Sequence, residues 1–132
     1  MTTDIIVTKK LKHIHPVVDS IVINLAEIDK IQFIKLSPDF LQASSERDDR
    51  GIKNPITKVG HLTAVGVSLI LDIDYKDIHF FEMTSAIKGY GEKMVNAVMK
   101  DLPEGWSGVI VMDWSSGFWE RMQEKYYNLE IM

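Results

Sequence analysis

Apolar and polar positions follow two different periods along the chain, which predicts a mixture of strands and helices. β-Branched residues are concentrated in residues 4–10, as expected of a first strand. Over residues 17–31 apolar side chains recur every three or four positions, which predicts a helix that Pro16 can start. Ser37-Pro38-Asp39 is a helix-start signal and predicts a short second helix directly after it.

The rest of the chain reads mostly as strands. Residues 44–55 are polar and predict a loop, either a solvated connection or a flap over an acceptor site. Residues 56–62 and 64–73 are rich in Val, Ile, Leu and Thr and predict strands, as do residues 78–83. A helix, a buried strand at 109–112, another helix and a short strand at 129–132 follow. This order predicts an α/β (α+β) fold.

Composition narrows the class of protein. A chain of 132 residues predicts a single domain, 1–132. The formal net charge is −4, and Lys9, Lys10 and Lys12 form the densest basic cluster, so we expect no nucleic-acid partner. No apolar run approaches the length of a membrane span, and the N-terminus does not resemble a signal peptide. With no cysteine in the chain, a cytoplasmic location is the expectation.

A glycine-containing turn leads from a predicted strand into a predicted helix. In Lys88-Gly89-Tyr90-Gly91 the two glycines allow backbone conformations closed to other residues and a close approach to a ligand. The unpaired amides at the start of the helix then favour a phosphate. Four residues alone do not distinguish such a site from a plain tight turn.

The sequence around this turn resembles two motifs of the GNAT superfamily of N-acetyltransferases. Residues 86–100 resemble the family's Arg/Gln-x-x-Gly-x-Gly/Ala loop and helix. The Lys-Gly-Tyr-Gly pattern is close to that of the histone-acetyltransferase branch. Downstream, Gly117-Phe118-Trp119-Glu120-Arg121-Met122 looks like the family's Phe-Tyr/Trp-Glu-Lys-Leu signature. The resemblance covers roughly residues 74–132, and the N-terminal part matches only in its element order.

The resemblance implies a GNAT-like mixed, mostly antiparallel sheet flanked by helices, with acetyl-CoA as cofactor. In the family, the strand before the glycine loop and the strand after it splay apart, and the pantetheine arm lies in the gap. The residues that would then contact the cofactor are Phe81, Glu82, Met83, Lys88, Gly89, Tyr90, Gly91, Glu92 and Lys93.

This chain departs from the family at three places. Ala86 stands where the family has Arg or Gln, which removes one side-chain contact to phosphate. Trp119 stands where many members have the tyrosine that protonates the leaving thiolate. The chain ends at Met132, before the family's seventh strand, so the expected sheet lacks its last strand unless a partner or an N-terminal strand supplies it. A homodimer that completes the sheet is therefore an expectation.

Acetyl transfer to an amine needs a general base, because an ammonium group cannot attack a thioester. By resemblance to the histone-acetyltransferase branch, Asp77 falls at the position of the base, and it is also readable as a turn residue. Glu82 is the second candidate. Tyr126 and Tyr127 are candidate acids or packing residues. His13 and His15 lack an evident third ligand, so we expect no metal site.

We therefore expect an N-acetyltransferase that moves an acetyl group from acetyl-CoA to a primary amine of a small molecule or protein. One alternative is a catalytically degenerate member that keeps the fold as a binding or regulatory module, which Ala86 and Trp119 favour. The other is an unrelated small α/β interaction protein whose Gly-Tyr-Gly is a plain turn. Binding of acetyl-CoA separates the last alternative from the first two.

Overall fold

The chain forms a seven-stranded sheet and three helices in the part that the structure describes. A computed structural model describes residues 3–48, 54–111 and 117–132. The elements follow the order β1 (Asp4–Val7), α1 (Pro16–Ala26), β2 (Phe33–Ser37), β3 (Phe40–Ser44), β4 (Val65–Asp72), β5 (Asp77–Ser85), α2 (Tyr90–Met99), β6 (Ser107–Ile110), α3 (Phe118–Lys125) and β7 (Leu129–Ile131). Within these residues no helix is both long and apolar enough to cross a membrane.

The sheet is mixed, as the sequence predicts, and its strands lie in chain order from β1 to β7. β2, β3, β4 and β5 form an antiparallel meander. The pairs β1–β2, β5–β6 and β6–β7 are parallel, and each is joined through one helix. Antiparallel pairings are thus three of the six. The parallel half includes β5 and β6, the two strands on either side of the glycine turn.

The helices contact one another on one face of the sheet, with α2 between the other two. Asn24 of α1 donates to the Ala97 carbonyl of α2 over 3.1 Å, and the Tyr126 hydroxyl, just after α3, donates to Asn96 of α2 over 2.7 Å. The core between helices and sheet includes Leu25, Leu69, Met94 and Ile110, which are all but solvent-inaccessible.

The other face of the sheet is covered near its centre by residues 54–64. The Thr57 hydroxyl lies 3.3 Å from the Ser68 hydroxyl of β4. Gly66 of β4 has no room for a side chain, because a Cβ there would lie 2.5 Å from the Ile56 carbonyl oxygen. The prediction of a strand over residues 56–62 was therefore wrong. This segment crosses the sheet, and its bonds to the sheet run through individual residues such as Thr57.

The second predicted helix was also wrong, because Ser37-Pro38-Asp39 lies at the turn of the β2–β3 hairpin. Leu36 and Leu41 are directly opposite each other in this hairpin and fully buried. The first helix ends at Ala26, earlier than predicted, because the chain turns over residues 27–30. Residues 49–53 of the predicted loop and Met112 of the predicted strand lie outside the described residues.

Candidate functional site

A bulge in β5 lies where the parallel pairing with β6 ends. Opposite β4, Glu82 pairs with Ser68 and Phe80 with Leu69, so Phe81 is the extra residue of the bulge. Such a residue is left out of the ladder of backbone hydrogen bonds. On the other side of β5, the described pairing with β6 ends at Phe80 and Ile110. β5 then continues for five residues, to Ser85, and this stretch forms one wall of a cavity.

The cavity has a volume of about 500 Å³ and is lined by residues on both faces of the sheet. Met83, Gly91 and Phe118 line it on the helix side. His61 and Glu82 line it on the opposite side, where residues 54–64 cover the sheet. The cavity wall therefore combines apolar side chains with polar groups such as His61 and Glu82.

The glycine turn forms the end of this cavity at the N-terminus of α2. Gly89 precedes the helix with φ of 91°, a left-handed conformation that favours glycine. Glycine has no side chain that could cap the helix at residue 89. The Ser85 hydroxyl instead accepts the Gly91 N–H over 3.1 Å. A Cβ on Gly91 would lie 3.3 Å from the ring of Phe118. The backbone of this turn is therefore open to a ligand on one side and tightly packed on the other.

Positive charge lies close to the turn. Lys88 and Arg121 line the cavity. Glu92 also lines it, and its carboxylate accepts a hydrogen bond from Lys125 over 2.7 Å. That bond, together with the charges of Lys125 and Arg121, lowers the pKa of Glu92 below its usual value. The helix N-terminus and the two cations suit an anionic group such as a phosphate.

Seven of the nine residues predicted to bind the cofactor line the cavity; they are Phe81, Glu82, Met83, Lys88, Gly89, Gly91 and Glu92. Tyr90 and Lys93 do not. The Tyr90 hydroxyl instead donates to the Asp29 carboxylate, with oxygens 2.8 and 2.9 Å away, and the Lys93 ammonium lies 4.4 Å above the ring of Tyr90. These two side chains tie α2 to the segment that follows α1.

The two candidate bases lie far apart. Glu82 lines the cavity and is half-buried, and its carboxylate lies 3.4 Å from the Thr57 hydroxyl, which can donate to it. Asp77 is at the start of β5, about 13 Å from Phe81 along an extended strand, and does not line the cavity. Of the two, only Glu82 is placed to reach a ligand in the cavity.

Asp77 belongs to a separate group of side chains at the β4–β5 hairpin. Donor atoms of Asp72, Asp77 and His79 all lie within 4.8 Å of one another, a spacing that can hold a divalent cation. Asp72 also accepts the Tyr75 N–H over 3.3 Å, as expected of an aspartate that stabilises a turn. Asp77 is the first residue of β5, directly after this turn, which agrees with its interpretation as a residue of the hairpin turn to within one position.

His61 is a cavity residue that the sequence analysis missed. Its Nδ1 accepts the backbone N–H groups of Thr63 and Ala64 over 3.2 and 3.0 Å. Nδ1 is therefore the unprotonated nitrogen, and the ring carries its proton on Nε2 as a hydrogen-bond donor. The His61 carbonyl lies 3.5 Å from the Thr84 hydroxyl of β5. Sequence patterns report on neighbouring residues, whereas the contact between His61 and β5 joins residues that are 23 positions apart.

Trp119 packs at the floor of the cavity. Its ring lies 5.2 Å from that of Phe80 and 5.1 Å from that of Phe118, and it is buried. Its indole has no ionisable proton at neutral pH. Tyr126 donates its proton to Asn96, and Tyr127 is 88% exposed. Neither tyrosine lines the cavity.

Comparison with protein-family models, curated proteins and solved structures found no match to this chain. The geometry of the cavity and the resemblance of two sequence motifs are what bear on its function.

Proposed function

We propose that this chain is a GNAT-type N-acetyltransferase that moves an acetyl group from acetyl-CoA to a primary amine. The observation that carries the proposal is the cavity between the bulged end of β5 and the glycine turn of α2. It combines a helix N-terminus, two cations, a strand whose backbone leaves its ladder, and a carboxylate on the opposite side.

The residues of the cavity fit the chemistry of acetyl-CoA. The helix N-terminus after Gly89, with Lys88 and Arg121, suits the pyrophosphate, which would replace the Ile87 carbonyl and the Ser85 hydroxyl as acceptors of the Tyr90 and Gly91 N–H groups. The backbone of Phe81–Met83 suits the amide groups of the pantetheine arm, and Phe118 and Trp119 supply an apolar wall. The family's first-motif contact is missing, because the methyl group of Ala86 has no hydrogen-bond donor for a phosphate.

The reaction needs an amine that has lost its proton and a polarised thioester. We propose Glu82 as the group that accepts the proton of the ammonium, because it faces the cavity from the side opposite α2. We propose that the N–H of Phe81, the residue that the bulge leaves out of the pairing with β4, polarises the thioester carbonyl. The amine nitrogen forms the new bond to the acetyl carbon and releases its second proton to solvent, the carbon–sulfur bond breaks, and the thiolate takes up a proton from solvent.

A degenerate binding module is the second candidate function. Ala86 removes a phosphate contact, and Trp119 and Tyr126 do not supply an acid to the cavity. Such a protein would bind acetyl-CoA without turnover. Binding therefore tests the site, and acetylation of a panel of amines then separates an enzyme from a module.

The first experiment is calorimetric titration with acetyl-CoA of the wild-type chain, Gly89→Val and Gly105→Val. Gly89 and Gly105 have nearly the same φ, 91° and 90°, and a Cβ at either position would have no atom within 4 Å. Both variants therefore carry similar backbone strain, but only Gly89 lines the cavity. We expect micromolar binding to wild type, similar binding to Gly105→Val, and at least a tenfold loss in Gly89→Val.

Two results would count against the proposal. If wild type does not bind acetyl-CoA, both the transferase and the module are excluded. If both glycine variants lose binding equally, the effect comes from general strain and the cofactor does not bind at the turn.

A further inference from the structure

The hairpin between β4 and β5 carries two acidic side chains directly opposite each other. Asp72, the last residue of β4, pairs with Asp77, the first residue of β5. Like charges that face each other across two strands destabilise the pairing. In the part of the chain that the structure describes, neither carboxylate forms an ion pair with a basic side chain. Two negative charges are thus held together at the end of this hairpin.

His79 lies beside this pair on the same face of the sheet. Alternate residues of a strand point to one face, so His79 shares the face of Asp77, and the cross-strand partner Asp72 shares it too. The Nε2 atom of His79 is buried, and among the described residues it has no hydrogen-bond partner. Buried polar atoms in native proteins nearly always have a partner, and an exception points to a water or an ion. An unprotonated imidazole nitrogen in this position is available as a metal ligand.

We propose that Asp72, Asp77 and His79 bind one divalent transition-metal ion, for which Zn²⁺ is the best fit. Their donor atoms lie within 4.8 Å of one another, so a point at their centre is no more than about 2.8 Å from each, compared with bonds of about 2.0–2.2 Å to Zn²⁺. Small rotations of the three side chains close this difference. Asp72 also accepts the Tyr75 N–H, but a carboxylate has further lone pairs with which to bind the ion.

The ligand set favours a transition metal over the common hard cations. Imidazole nitrogen suits Zn²⁺, whereas Mg²⁺ and Ca²⁺ take oxygen ligands. A bound cation offsets the repulsion between Asp72 and Asp77 and gives the buried nitrogen of His79 a partner. Three protein ligands leave the fourth position of a tetrahedral site to water. The ion would join β4 to β5 at the hairpin, at the opposite end of β5 from the cavity, and takes no part in the proposed reaction.

Calorimetric titration with Zn²⁺ tests the site on a chain that has been stripped of metal with a chelator. We expect one ion per chain with micromolar affinity. Asp77→Asn keeps the size of the side chain but removes a charged ligand, so the affinity should fall at least roughly tenfold. The matched control is Asp74→Asn, the same change at an exposed residue of this hairpin that is not one of the three ligands, and it should bind as wild type does. Equal losses in the two variants would mean that Zn²⁺ responds only to the total charge of the hairpin, and would overturn the proposal.

Thermal unfolding provides a second readout, in which the metal reverses the effect of the same substitution. Without metal, Asp77→Asn should melt at or above wild type, because it removes one of two opposed charges. With saturating Zn²⁺ wild type should melt above Asp77→Asn, because an ion that binds only the folded chain stabilises it. Mg²⁺ at the same concentration should leave the order as it is without metal. Equal stabilisation of wild type by Mg²⁺ would mean that any divalent cation screens the two carboxylates, and would exclude a site that uses His79.

Imidazole NMR identifies the histidine that binds, because the chain has four. The signals of His79 should respond first as Zn²⁺ is added, with Nε2 as the bound nitrogen. A response of His13, His15 or His61 without one of His79 would overturn the proposal, as would a wild-type chain that binds no Zn²⁺. None of these readouts depends on acetyl-CoA, so the result is independent of the proposed activity.

Discussion

At the scale of single residues, Glu82 is the group on which the proposed chemistry depends most. Glu82→Gln keeps the size of the side chain and its contact with Thr57, but removes the proton acceptor. We expect kcat to fall by roughly 10²–10⁴-fold, the usual contribution of a general base. The dissociation constant of acetyl-CoA should change little. Steady-state kinetics and calorimetry on the same preparation measure the two quantities.

The loss in Glu82→Gln should depend on the acceptor. An amine that is already neutral at the assay pH needs no base, so the difference between wild type and variant should shrink with acceptors of low basicity. Asp77→Asn is the matched control, since Asp77 does not line the cavity. Equal losses in the two variants, or a loss that is the same for every acceptor, would exclude Glu82 as the base.

The two ring nitrogens of His61 have separate roles, and this leads to a second prediction for a single residue. In His61→Asn the side-chain oxygen can accept the N–H groups of Thr63 and Ala64 in place of Nδ1, and the Nε2–H donor is lost. We expect an unchanged melting temperature and a roughly tenfold weaker affinity for acetyl-CoA, about the worth of one hydrogen bond to a charged acceptor. The KM for the amine should be unaffected, because an ammonium group accepts no hydrogen bond.

His61→Gln is the complementary variant. Its longer side chain can place an N–H donor near the position of Nε2, but it gives up the loop acceptor. It should therefore lower the melting temperature more than His61→Asn and retain more affinity. The reverse ranking in calorimetry would mean that His61 acts only by holding its loop.

How well single residues could be predicted depended on how far apart their contacts are in the chain. Gly89, Gly91 and Glu82 lie close together in the chain, so the sequence could group them, and the structure places them around one cavity. His61 reaches the same cavity only because its segment crosses the sheet to meet Thr84. Tyr90 lies inside the motif, yet its hydroxyl turns to Asp29. Neither long-range contact has a local signal.

At the scale of elements, strands with strong apolar patterns and the helix after the glycine turn were predicted well. β4, β5 and α2 lie within a few residues of their predicted bounds. Each has a pattern that local structure alone can satisfy, such as the buried stripe formed by Met94, Val95 and Val98 in α2.

The two wrong elements share a physical reason. Ser-Pro-Asp begins helices and also forms tight turns, so residues 37–39 satisfy both signals. The pairing of Leu36 with Leu41 in the core decides for the hairpin. Residues 56–62 have the composition of a strand. They cannot pair with β4, because β3 and β5 already pair with its two edges. The segment packs across the sheet instead of extending it.

At the scale of the whole molecule, the cavity depends on how three layers meet. The helices cover one face of the sheet, residues 54–64 cover part of the other, and the sheet opens between them where β5 outruns β6. A ligand in this opening would contact the helix layer with one end and the loop layer with the other.

The hydrogen bond between Tyr90 and Asp29 joins α2 to the segment that follows α1. Because both of its partners are titratable, we expect the free energy of unfolding to depend on pH in two ranges. This bond is the main cause that lowers the pKa of Asp29 from its ordinary value of 3.8 and the main cause that raises the pKa of Tyr90 from 10.0. A lowered carboxyl pKa stabilises the fold above about pH 4, and this is lost as the pH falls through the folded value. A raised phenol pKa stabilises it below about pH 10, and this is lost as the pH rises.

Tyr90→Phe removes both contributions at once. The free energy of unfolding, measured with urea from pH 3 to about pH 11, should therefore fall in the variant at neutral pH and approach that of wild type at both extremes. Chemical shifts of the Asp29 carboxyl should show its pKa rising toward the ordinary value. Tyr127→Phe, at a site 88% exposed, is the control and should leave the profile unchanged. Equal free energies of unfolding for wild type and Tyr90→Phe across this range would mean that the ring of Tyr90, which the variant keeps, stabilises the helix layer by packing under Lys93, and that its hydroxyl does not.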